Sequence, residues 1–146
     1  MITFHVESYD TSYKDIQKLY MIHWKEISKF SFEANIDWDL FAKLYALGNL
    51  FIATARKNER MIGYFISYMF PHIRYKDKIF ADNDTIFILP EYREGWTGYK
   101  FIKFACTELK KTCDVITLRF KASNKTSIIA KRLGFSLADN TYILEV

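Results

Sequence analysis

Residues Ile86–Leu89 form a short run of β-branched and aromatic side chains, followed at once by Pro90. The run reads as a buried strand, and proline, which cannot donate to a sheet ladder, ends it. Next comes Arg93-Glu94-Gly95-Trp96-Thr97-Gly98, a loop with two glycines. Phe101, Ile102, Ala105 and Leu109 then recur at helical spacing, with Lys100, Lys103, Lys110 and Lys111 on the other faces. A strand, a glycine loop and a helix start in immediate succession form an anion-binding device. The first N–H groups of a helix have no partner within it, the helix dipole adds positive potential, and glycines let a phosphate approach the backbone.

The rest of the chain is built around this segment. Ile2–Val6 alternates as a first strand. A helix is predicted from Ser12 to about Lys29, with Ile16, Leu19, Tyr20, His23, Ile27 and Phe30 along one stripe. His23 on that stripe reads as a core or groove-lining residue. Asp37 or Asn35 caps a second, shorter helix that Gly48 ends. Leu50–Arg56 and Met61–Phe70 form an antiparallel hairpin, and Pro71 is expected to break its second strand. After a loop at His72–Asp77, the chain returns through a central strand, Lys78–Leu89, carrying Asp82 and Asp84. Beyond the glycine loop and its helix come a strand at Asp114–Phe120, a helix started by Ser123 or Asn124 and closed by Leu133-Gly134-Phe135, and a last strand at Tyr142–Val146. At 146 residues, half of them hydrophobic, the chain is one domain with a sizeable core.

Leu89-Pro90-Glu91-Tyr92-Arg93, the glycine loop and the amphipathic helix together resemble the acetyl-CoA-binding segment of the GNAT N-acetyltransferases. The predicted element order agrees with that family along the whole chain, and Leu133-Gly134-Phe135 resembles its C-terminal helix end. One departure lies in the loop. Counting from Arg93, the first family glycine falls on Trp96, with Gly95 one place early, and the second falls on Gly98. Small acetyltransferase-like proteins of tailed phages resemble this variant. The resemblance implies an α/β fold: a GNAT-like mixed sheet with splayed central strands and helices on both faces.

It also implies acetyl-CoA as cosubstrate and an amine, of unknown identity, as acceptor. Arg93, Glu94, Gly95, Trp96, Thr97, Gly98 and Tyr99 would carry the pyrophosphate. Asn124 and Ser127 would contact the pantetheine or the adenosine-side phosphates. The amide of Ile88 or its neighbour would stabilise the oxyanion, and Asp84 or Asp82 would act as base; the same two carboxylates also fit a solvated strand end. Many family members place a tyrosine at the position of Ala130 to protonate the leaving thiolate, and Tyr99 or Tyr142 would have to substitute for it. Tyr20, His23, Trp24, Trp38, Phe41 and Tyr75 are candidates to line the acceptor side, and the same aromatics also fit a plain core. The alternative is a GNAT fold kept as a binding or structural module, with catalysis lost at Trp96 and Ala130.

Charge and composition narrow the other classes. The net charge of +4 arises wholly in residues 91–146, which hold 10 basic and 6 acidic side chains, against 11 of each in residues 1–90. That field suits a polyphosphate ligand, and charge alone fits a solvated, lysine-rich surface as well. A nucleic-acid binder would start from the same excess, but no DNA- or RNA-binding motif accompanies it. No apolar run approaches the roughly 18 residues of a membrane span, and no secretory signal opens the sequence. Cys106 and Cys113 have neither metal-site nor disulfide-framework spacing, and two thiols in a reducing cytoplasm are expected, the host's if the protein is phage-encoded. No metal is called for, and a homodimer is compatible with the sequence.

Overall fold

The computed structural model describes residues 1–122 and 125–146. In chain order the elements are β1 (Ile2–Val6), α1 (Tyr9–Ile27), α2 (Trp38–Ala46), β2 (Leu50–Lys57), β3 (Arg60–His72), β4 (Tyr75–Ile88), α3 (Thr97–Leu109), β5 (Val115–Thr117) and α4 (Thr126–Arg132), with a 3-10 turn at Pro90–Tyr92. The five strands lie in sequence order in one sheet. The first four pair antiparallel, and β4 pairs parallel with β5. The fold class read from the sequence is the one observed.

Period-two alternation assigns the two faces of the sheet. Thr54, Tyr64 and Ile66 point to the face covered by α1, where His23 reaches the Tyr64 hydroxyl at 2.8 Å. Phe4 points the other way and stacks on Phe101 of α3, with ring centroids 5.3 Å apart. Tyr20 of α1 meets Trp38 of α2 edge-on at 6.0 Å, so the first two helices share a side. Gly63 lets β3 and β4 approach closely, since a Cβ there would lie 2.5 Å from the Phe87 carbonyl oxygen. Across the first hairpin, Asn58 and Glu59 both take positive φ, as a two-residue turn between right-twisted strands requires.

Several boundaries differ from the sequence reading. The cap of α1 is Ser8, whose side chain accepts from the Thr11 N–H, so the helix begins a turn before Ser12. Pro71 lies inside β3, where the register shifts between Pro71 and His72; a proline is tolerated at such an irregularity. The expected His72–Asp77 loop is a tight turn, and β4 already begins at Tyr75. β5 is only three residues long. Tyr142–Val146 forms no strand: β-propensity supplies no ladder by itself, and the tail is held instead by Glu145, whose carboxylate accepts from the Ser31 N–H at 3.0 Å. Asp37 caps α2 through the Leu40 N–H, and Gly48 follows that helix with φ of 76°, as expected. Leu133-Gly134-Phe135 does close α4, with Gly134 at φ 89° and the Phe135 N–H on the Ala130 carbonyl. Ser123 and Asn124, the expected start of α4, lie outside the described residues. No described helix is long and apolar enough to cross a membrane.

Candidate active site

The ladder between β4 and β5 runs from Phe80/Val115 to Asp82/Thr117 and stops there. One residue further, the side-chain amide of Asn83 takes the place of a peptide. Its Nδ2 donates to the Arg119 carbonyl at 2.8 Å, and its Oδ1 accepts from the Arg119 N–H. Beyond that bridge no described strand lies against this edge of β4. Leu89 N–H donates to Ile62 O on the β3 side at 2.8 Å. By the alternation of an antiparallel strand, Ile86 and Ile88 therefore direct their N–H groups into the gap that β5 leaves. The central strands splay as the sequence reading implied, and the splay presents donors at an open edge.

A bulge re-aims the side chains beside this edge. Ile66 faces Thr85 and Ser67 faces Asn83, which leaves Asp84 as the extra residue of β4. Asp82 is served from the β5 side and Asp84 from β3. Asp82 accepts from the Thr117 hydroxyl and pairs with Arg119 Nη1 at 3.1 Å. Asp84 accepts from the Tyr68 hydroxyl at 3.2 Å. Asp84 keeps contact with solvent, yet the protein around it raises its carboxyl above the ordinary range; the nearby Asp82 adds to the rise and the Tyr68 hydrogen bond opposes it. Burial, together with the charge of Asp84, pushes Tyr68 up to about 12 and raises Tyr20 as well. A carboxylate set among tyrosines that stay protonated can accept a proton without competition from them.

His23 lies below this group, 3% exposed, stacked on Phe87 at 4.6 Å. Burial, with a smaller effect from the Arg93 charge, lowers it to about 4, so the ring is neutral near pH 7. Thr85, next to the bulge, is 6% exposed, and among the described residues its hydroxyl is the one buried side-chain polar atom without a hydrogen-bond partner.

The glycine loop follows directly. Gly95 takes φ of 70°, and Trp96 is the residue before α3, whose start has no side-chain cap and no acidic residue in its first turn. The first helical bond runs from the Lys100 N–H to the Trp96 carbonyl at 2.9 Å, leaving the N–H groups of Thr97, Gly98 and Tyr99 without helical acceptors. The Trp96 ring does not fill this turn. It is 57% exposed, meets Tyr99 edge-on and carries the Arg132 guanidinium at 5.3 Å. Glu94 is exposed, so its backbone is the part suited to an anion. Ser127 is exposed on the first turn of α4, and Asn124 lies outside the described residues. Arg93 is turned away from the loop: Nε donates to the Ile88 carbonyl at 2.7 Å and Nη2 to Glu26 at 2.8 and 2.9 Å.

These features fit a thioester cosubstrate with a polyphosphate tail. At the start of α3, uncapped amides and Arg132 offer donors that suit phosphates, and an open strand edge can hydrogen-bond an amide-bearing arm. Ala130, where a tyrosine would serve as acid, is buried, and Tyr142 is 91% exposed in the tail. Shallow surface concavities around Arg56 and around Gly48 include no residue of the open edge. The first is lined in part by an ion cluster in which Arg56 bonds Glu7 and reaches Asp15 of α1.

The sequence reading had named Asp82, Asp84 and Ile88. Tyr68, Asn83, Thr85 and Glu26 were not among its site candidates. The Tyr64-Ile66-Tyr68 alternation could have pointed to Tyr68, whereas nothing local signals that Asn83 would bridge to Arg119.

No protein-family model matches the sequence, and no curated protein matches it. Solved structures do match in fold. A ribosomal-protein-alanine N-acetyltransferase from Brucella melitensis superposes with a TM-score of 0.76 at 11% identity, covering 100% of this chain and 98% of that one. A predicted acetyltransferase with acetyl-CoA from Clostridium acetobutylicum gives 0.70 at 19% identity, covering 99% and 96%. An aminoglycoside acetyltransferase from an uncultured soil metagenomic sample, in complex with sisomicin, gives 0.71 at 14% identity, covering 99% and 97%. The chain thus has the GNAT acetyltransferase fold over its full length.

Proposed function

We propose that the protein is an acetyl-CoA-dependent N-acetyltransferase acting on an amine. The observation that carries this is the open edge of β4, with Asp84 at its bulge and the uncapped start of α3 at its end. When bound, acetyl-CoA would supply a thioester acetyl group, which passes to nitrogen as a C–N bond forms and the C–S bond breaks, the released thiolate taking a proton from solvent.

The residues would divide the work as follows. The amides of Thr97, Gly98 and Tyr99, with Gly95 permitting the turn, hold the phosphates. The N–H of Ile88 faces the negative charge that develops on the carbonyl oxygen. Asp84 takes the proton that an ammonium must lose before its nitrogen can attack. Its raised carboxyl suits this role better than the Arg119-paired carboxyl of Asp82 does. Tyr20 and Tyr68 flank it on the acceptor side.

A second reading, the same fold used as a binding module without catalysis, is favoured by Ala130 at the position of the family's acid. The test is acetyl transfer to a panel of amines: aminoglycosides, an amino sugar phosphate and a peptide with N-terminal alanine. Wild type is expected to acetylate at least one of them, and Asp84→Asn to lose about a hundredfold to ten-thousandfold in rate. Tight acetyl-CoA binding with no transfer to any amine would favour the binding module.

A further inference from the structure

We infer that Arg93 is a positioning residue for the Ile88 N–H rather than a ligand of the cosubstrate's phosphates. This rests on the reading of Ile88 as the donor to the developing oxyanion.

In an extended strand the N–H and C=O of one residue point to the same side. Leu89 bonds toward β3 through its N–H on Ile62 O, so both edge groups of Ile88 face the gap left by β5. A bare edge of this kind offers a donor and an acceptor together. The acceptor is unwelcome, because a carbonyl lone pair beside a developing negative oxygen repels it. Arg93 removes that acceptor: its Nε donates to the Ile88 carbonyl at 2.7 Å. What remains free on Ile88 is the N–H, now with a cationic group bonded to the same residue.

The guanidinium is fixed on two further sides. Nη2 bonds both oxygens of Glu26 at 2.9 and 2.8 Å, and the group lies over the Phe87 ring at 5.4 Å. Glu26 is itself held across the gap, since Lys121, beyond β5, donates to its backbone carbonyl at 2.7 Å. The end of α1 thereby joins both walls of the gap and sets the orientation of Arg93. A planar fork is needed to serve a carbonyl and a carboxylate at once; an ammonium group has no such plane.

The experiment compares wild type, Arg93→Ala, Arg93→Lys and Glu26→Gln in steady-state acetylation of the best amine, varying acetyl-CoA, with acetyl-CoA affinity measured by calorimetry. Arg93→Ala is expected to lower kcat about tenfold, short of the roughly hundredfold to thousandfold loss on deleting such a donor outright. KM and affinity for acetyl-CoA should change little. Arg93→Lys should not restore kcat, and Glu26→Gln should lower it in the same direction. If Arg93→Ala does not fold, the other two variants decide. An unchanged kcat with a raised acetyl-CoA KM would make Arg93 a phosphate ligand and overturn the inference. Lower stability with kcat unchanged per folded molecule, or full rescue by lysine, would also overturn it. An inactive wild type would overturn the reading of the site, and this inference with it.

Discussion

His23 makes the fold acid-sensitive by a calculable amount. Its ring is buried, stacked on Phe87 and 2.8 Å from the Tyr64 hydroxyl. Charging it would strand a cation in the core, and burial holds it down to about 4 against an ordinary 6.5. The unfolded chain therefore binds the proton more readily. The stability is intact above the unfolded value and is lost as pH falls from 6.5 toward 4. Linkage puts the loss at about 2 kcal/mol between pH 7 and pH 5, reaching about 3 kcal/mol by pH 4. Asp84 acts in the opposite sense: its raised carboxyl favours the folded state on acidification. The effect of His23 is isolated by comparison with His23→Gln, which keeps a hydrogen-bonding group toward Tyr64. Urea unfolding followed by tryptophan fluorescence across this pH range gives both stability curves. Wild type should start more stable and lose the stated amount more than the variant. Parallel curves would refute the argument that the buried ring stays neutral.

Gly63→Ala should destabilise by about 1–3 kcal/mol, because its Cβ would meet the Phe87 carbonyl and Ile88 backbone, neither of which can yield as a side chain does; thermal or urea unfolding checks it. Thr85→Val removes an unpartnered buried hydroxyl at nearly constant shape, and should stabilise the fold by about 1 kcal/mol in the same assay. For Asp84 the acid limb of the pH–rate profile is the readout. Activity should fall as pH drops through a value above the ordinary carboxylate range, and Asp84→Asn should abolish that limb.

The parts of the fold legible in the sequence are those written in local chemistry. The Ile86–Leu89 run, the Pro90 stop and the helical spacing after Gly98 describe β4 and α3 without reference to the rest of the chain. Asp37 and Gly48 mark the ends of α2 in the same way. The misreadings came where a neighbour decides. Ser8 and Ser12 are both competent caps, and the buried position of Ser12, bonded to the Ser8 carbonyl, settles the choice. Tyr142–Val146 has the residues of a strand but no ladder to join. The bulge at Asp84 depends on the register with β3, which the spacing of Asp82 and Asp84 does not reveal. Arg93 shows the same limit: its position in the loop matches a phosphate ligand, and its side-chain direction is set by Glu26, a residue 67 positions away.

The central claim is that the loop and first turn of α3 bind the phosphates of acetyl-CoA, and its most direct test is the melting temperature across an acetyl-CoA titration. A ligand of the folded form alone stabilises by about 2.7 kcal/mol at a hundredfold excess over its dissociation constant. Wild type should show that rise. Gly98→Asp should abolish it while remaining folded, since a Cβ at Gly98 meets only the end of the Ile129 side chain at 3.6 Å. A folded wild type with no shift at millimolar acetyl-CoA, or a Gly98→Asp variant that shifts as wild type does, would contradict the account.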